Sequence, residues 1–158
     1  MPTIEVFQIV VSIAQIVAVV IMYRLAVRQY QMNRSSRYLE RFLDKDLFEL
    51  REGVDAWLES GLSTSEKLDQ LNDSECIHTR SEIIAFANFF QEISISYKRS
   101  LTDKQYIYET FGFLIRRYWE QLQFWTGSYR SEKGRETLYE DWEDVYNIFK
   151  QLDTKKGK

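Results

Sequence analysis

The sequence predicts an all-α protein: one N-terminal transmembrane helix, then a cytoplasmic antiparallel bundle of about four helices. Three observations carry this. An uncharged apolar run lies near the start of the chain, at residues 6–23. Beyond it, apolar residues recur at helical spacing. The only proline is Pro2 and there are six glycines in 158 residues, so little interrupts a helix. The expected organisation is 1–33 for the span and its extension, 34–152 for the bundle, and 153–158 for a basic flexible tail.

The first helix is long enough to cross a bilayer once Ile4 and the trio Leu25, Ala26 and Val27 are added to the uncharged run. A cleaved signal would begin with positive charge and carry a shorter apolar core. Here Glu5 is the only charge ahead of the run, so a retained span is expected over a signal or an interfacial helix. Arg24, Arg28, Arg34, Arg37 and Arg41 all follow it. Positive charge stays cytoplasmic, which predicts the N-terminus outside and the bundle inside. Gln8, Ser12 and Gln15 fall four and three residues apart, on one helical face. They are the candidate oligomer seam, because amides in hydrocarbon gain from pairing with a second copy. A pore lining or a plain tolerated polarity are the other readings of the same stripe.

The next helix is expected over 37–59, with a break near Asp44; Ser36 caps it after a joint at 33–36, or alternatively the anchor helix passes straight through. Leu43, Leu47, Leu50, Val54, Trp57 and Leu58 mark its apolar face. Ser60-Gly61 ends it. Residues 64–71 make at best a short helix, and Asn72-Asp73-Ser74 reads as a loop. A helix over 75–100 carries Ile83, Phe86, Phe90, Ile93 and Tyr97. Thr102 with Gln105 fits a capping box for the following helix, expected to reach Tyr129. Gly134 precedes the last helix, 135–152, with Leu138, Trp142, Val145, Tyr146 and Phe149 on one face. The aromatic share of 15% makes these stripes core first, rather than base-stacking platforms.

Composition narrows the chemistry. Net charge is −3, so no nucleic-acid partner is expected. Cys76 is the only cysteine and His78 the only histidine, two residues apart and therefore diverging on a helix. Glu75 and His78 have the spacing of a di-metal bundle motif, but no second histidine completes it. Arg116, Arg117 and Arg130 have no following histidine of the kind a helical ribonuclease needs. No phosphate-binding glycine loop or nucleophile elbow is present. No catalytic residue, metal or cofactor is expected. Glu92 is expected to pair with Arg116 or Arg117 across antiparallel neighbouring helices, as an orienting ion pair.

Several blocks resemble a bacterial domain-of-unknown-function family of small membrane-anchored helical proteins. They are 37–42, running on to Asp46-Leu47-Phe48-Glu49-Leu50-Arg51, then Asn88-Phe89-Phe90-Gln91-Glu92-Ile93, Arg116-Arg117-Tyr118-Trp119, and Leu138-Tyr139-Glu140-Asp141-Trp142. The resemblance covers most of the chain after the anchor. It implies the architecture and an inner-membrane location, and it supplies no activity. The function expected is a self-associating interaction or scaffold protein that holds an unidentified protein partner at the bilayer. The runner-up is a pore-forming accessory of a bacterial defence system, and an enzyme of unrecognised chemistry comes third.

Overall fold

A computed structural model describes residues 2–73 and 76–156, with side chains described for 7–73 and 76–155. The described residues form six helices and no strand: α1 Pro2–Leu43, α2 Lys45–Leu58, α3 Thr64–Asn72, α4 Ile77–Lys98, α5 Lys104–Lys133 and α6 Glu140–Lys156. The bundle thus holds five helices after α1, not about four, because 64–72 is a capped helix. Ser63 receives the Glu66 backbone N–H while the Glu66 carboxylate receives that of Ser63, which satisfies two donors at once. Trp57 Nε1 then reaches Gln70 at 3.0 Å and fixes α3 against α2.

The joint at 33–36 is absent, and the straight-through alternative is the one that forms. α1 runs unbroken through it to Leu43, and Ser36 bonds back to the Asn33 carbonyl instead of capping a new helix. The break falls at Asp44 alone, in extended conformation and accepting from the Asp46 N–H. At the other end, Lys155 and Lys156 are helical, and Asp153 pairs with Arg116 at 3.0 Å. Gly157 and Lys158 of the expected tail, and Ser74 of the expected loop, lie outside the described residues.

Two caps also differ from expectation. Asp103, not Thr102, starts α5 by accepting from the Tyr106 N–H at 2.8 Å. Gln105 bonds Glu109 instead of reaching back. A carboxylate placed one residue later serves the same orphan donors and adds a favourable charge at the helix start. Gly134 closes α5 in the left-handed region (φ 60°), where a glycine is unstrained. α6 then begins at Glu140, five residues later than expected. The intervening turn, with Tyr139 at φ 62°, drives the Tyr139 ring into the core.

The core is aromatic. α4 packs between α2 and α6, and α6 also lies along α5. Phe90 stacks on Trp142 with centroids 5.1 Å apart, and Phe86 meets Tyr118 edge-on at 4.7 Å. Such pairs each contribute about 0.5–1.5 kcal/mol beyond burial. The buried Trp142 indole N–H is satisfied by the Ile115 carbonyl at 3.2 Å.

α1 behaves differently along its length. Every described side chain from Phe7 to Tyr30 is exposed. The segment is long and apolar enough to cross a membrane, with mean hydropathy 2.2 in its most apolar stretch, none of it buried against the protein. From Gln31 onward the helix is tied to the bundle. The Gln31 amide donates to Ser100 O at 2.8 Å, buried Ser35 receives the Asp103 N–H at 2.9 Å, and Tyr38 and Phe42 enter the core.

Candidate functional site

The predicted seam residues stand together on the exposed part of α1. Ser12 donates to the Gln8 carbonyl at 2.9 Å, so its hydroxyl is satisfied within the helix. No described residue partners the Gln8 or Gln15 amide. Both lie on a rod that meets nothing in the protein.

The predicted ion pair does not form. Glu92 pairs with Arg41 of α1 at 2.9 Å and accepts from Tyr38. Arg116 pairs with Asp153 of α6, and Arg117 with Asp55 of α2 at 3.3 Å. The reason is helical phase. Phe90 and Tyr118 face each other, while Glu92 lies about 200° around from Phe90, Arg117 about 100° from Tyr118 and Arg116 about 200°. Sequence neighbours of core residues therefore point to three different helices.

The block 88–92 is a hub for the same reason. Asn88 receives the Tyr139 hydroxyl at 3.1 Å. Phe89 and Phe90 fill the core on two sides. Gln91 receives the Trp142 N–H at 3.1 Å and donates to Asp141 at 3.0 Å. Two members of the block border clefts, Glu92 the one beside α1 and Asn88 one beside Tyr129 and Tyr139. Its pattern is accounted for by packing.

Near the chemistry weighed in the sequence, His78 sits beside Glu82 at 3.3 Å on an exposed face. Glu75 lies outside the described residues. No group of three or more His, Cys, Asp or Glu placed to hold a metal occurs among the described residues. The tyrosine most shifted within reach of titration is Tyr118, whose phenol is pushed up to about 12 by burial and then by the Asp55 carboxylate it bonds at 3.0 Å. That is a structural hydrogen bond behind Arg117.

The cleft with most polar side chains turned into it lies where α1 meets α4. It has a volume of about 350 Å³ and is walled by Tyr30, Arg34, Arg37, Tyr38, Arg41 and Glu92. α1 supplies all but the last, at spacings of three and four that put them on one face. Arg41 is neutralised by Glu92 and lies over the Tyr38 and Phe89 rings. Arg34 meets only hydroxyls: it donates to Tyr30 and Ser96, each at 3.3 Å, and lies beside the Tyr38 phenol. Its Nε–H is shielded from solvent and meets no acceptor. Arg37 is exposed and has no partner among the described residues. A second open recess, one to two turns nearer the apolar end, is bordered by Arg24, Arg28 and Gln31. In the sequence these arginines bear on orientation, on the joint at 33–36 and on the family resemblance, and none is expected to line a cleft. The signal for the cleft was present in the alternation Tyr30, Arg34, Arg37, Tyr38 and Arg41 along one stripe.

No curated protein and no solved structure matches the chain significantly. A family model does match, over residues 2–149, which takes in both the apolar rod and the bundle docked to it. The chain belongs to the family described as Domain of unknown function (DUF4760).

Proposed function

We propose that this chain is a membrane-anchored interaction protein. α1 crosses a bacterial inner membrane once with its N-terminus outside, and the bundle sits on the cytoplasmic face. Copies associate through Gln8, Ser12 and Gln15, and the bundle holds a protein partner without transforming it chemically. The observation that carries this reading is the exposure of every described side chain from Phe7 to Tyr30 on a helix otherwise fixed to a folded domain. Water is an unfavourable medium for such a surface, at roughly 25 cal/mol for each Å² left exposed. A lipid interior removes that cost, and the arginines beginning at Arg24 fit the cytoplasmic border.

The test is carbonate-resistant membrane association of the full chain, followed by its mass in mild detergent. Release into the soluble fraction would refute the anchor. A monomer at all concentrations would refute self-association. Gln8→Leu combined with Gln15→Leu should lower the oligomer order while leaving the bundle's melting unchanged. A second reading, a pore-forming oligomer, draws on the same two unpartnered amides, since polar groups facing a water-filled lumen also satisfy them. Dye leakage from vesicles, abolished by the double substitution, would favour it over the scaffold.

A further inference from the structure

We propose that the cleft between α1 and α4 is a binding site for a phosphate-bearing anion, held between Arg34 and Arg37. The inference goes beyond the anchored reading and does not rest on it, because a soluble or monomeric chain would keep the same cleft.

The charge in the cleft is unbalanced. Three guanidinium groups face a single carboxylate, Glu92, which is already committed to Arg41. The surplus of two positive charges matches a phosphate monoester, which carries about −1.5 to −2 at neutral pH. Four other half-buried arginines of the bundle meet carboxylates, Arg80 with Glu132, Arg116 with Asp153, Arg117 with Asp55 and Arg130 with Glu143, while Arg51 lies over the Phe42 and Phe48 rings. Arg34 is half-buried too, yet its partners are all neutral hydroxyls: Tyr30 and Ser96, each at 3.3 Å, and the nearby Tyr38 phenol. A cation in that setting gains most from an anionic acceptor, since charge-assisted bonds are shorter and about twice as strong as neutral ones. Arg37 stands about one turn further along the same face with its guanidinium free.

The other walls suit the same ligand. The Tyr30 hydroxyl accepts from Arg34 and keeps its own hydrogen to donate. Tyr38 and Ser96, bonded at 2.7 Å, hold the floor in place. The cleft volume is at the low end of small-molecule sites, which are about 300–1,000 Å³.

Depth favours a soluble anion over a lipid phosphate. Arg34 lies about 15 Å beyond Arg24 along the helix axis. A headgroup layer adds only about 5–8 Å to each side of the hydrocarbon. A bilayer edge at Arg24 leaves the cleft outside the phosphate layer.

The experiment is calorimetric titration of inorganic phosphate into the full chain, in uncharged detergent at constant ionic strength. Saturable binding is expected. Arg37→Glu should weaken it roughly tenfold or more, the size of one lost charge-assisted hydrogen bond. Arg28→Glu, outside the cleft, should change it by less than about threefold. Arg37→Lys keeps the charge and should retain most of the binding, which guards against a folding defect as the cause. No saturable heat, or equal losses in the Arg28 and Arg37 variants, would overturn the site. Repeating the titration in phosphatidylcholine nanodiscs with and without phosphatidylglycerol identifies the source. Equal affinities mean a soluble anion, whereas weaker phosphate binding in the anionic discs means that headgroups occupy the same cleft.

Discussion

The first half of α1 and the whole of α4 are built from similar residues and have opposite fates. Each is rich in Ile, Val or Phe. In α4, Ile83, Phe86, Phe90 and Ile93 are completely buried, whereas in α1 Ile13 is 56% and Ile16 63% exposed. The distinction lies in what surrounds the apolar residues. α4 interleaves them with Asn88, Gln91 and Glu92, which bond to the turn ahead of α6, to α6 and to α1 and fix its rotation. α1 is apolar all round between Phe7 and Tyr23 apart from the Gln8, Ser12 and Gln15 stripe, so no single face is marked for burial. A one-sided stripe asks for a protein neighbour, and an all-round one asks for a different solvent.

Substitutions can break this contrast. The largest effect is expected at Phe90, which stacks on Trp142 and meets Phe86. Phe90→Ala should destabilise the bundle by about 3–5 kcal/mol, measured by chemical denaturation in detergent. Ile13→Ala should leave the same curve unmoved. A matching loss at Ile13 would mean that the rod packs on the bundle after all.

The next test concerns the point where the two regimes meet. Ser35→Val removes the acceptor of the Asp103 N–H and should cost about 1–3 kcal/mol. Hydrogen exchange should then quicken at the start of α5 and not in α6. Uniform quickening would show that the lock is not local.

Alkaline titration probes the aromatic core directly. The Tyr118 phenol is raised from an ordinary value near 10 to about 12, so the folded state holds its proton more tightly than the unfolded chain. The stability this confers is complete below pH of about 10 and is lost as pH rises toward about 12. Phenolate absorbance should show this tyrosine ionising late, and Asp55→Asn should bring its titration to lower pH. An unchanged curve would remove Asp55 as a cause.

The smallest effect is expected at Glu92. Its side chain and that of Arg41 are each about half exposed, so Glu92→Gln should cost less than about 1 kcal/mol. A loss of about 3 kcal/mol or more would return the residue to the buried role that its sequence neighbours suggest.

The helices were legible because periodicity is a local property. Ile83, Phe86, Phe90 and Ile93 declare their face without reference to anything else, and Gly134 declares an end. The pairing of charges was not legible. Glu92, Arg116 and Arg117 all adjoin core aromatics, but a step of one or two residues turns a side chain by 100–200°, and the helix it then meets depends on the packing order. Because α6 lies along both α4 and α5, Arg116 finds Asp153 there, a residue assigned to the tail by its basic neighbours. The helix through 33–36 was left open against a joint for a related reason. Ser35 and Ser36 have the composition of a joint, yet their hydroxyls bond back to α1 carbonyls, and Ser35 also serves α5. The arginine cleft was half visible: its stripe is in the sequence, but the wall supplied by Glu92 is not.

The unbroken course of α1 fixes a phase relation. Gln31, Ser35 and Tyr38, which dock to the bundle, each lie about 23 residues beyond Gln8, Ser12 and Gln15, a net turn of roughly 140° about the axis. The polar stripe and the bundle therefore look outward on nearly opposite sides of one stiff rod. Two rods joined along the stripe would carry their bundles on the flanks, well separated, with Arg37, within about 40° of the stripe, turned toward the partner rod. A change in how steeply such a pair leans would swing each bundle through the same angle, because no flexible linker intervenes to absorb it.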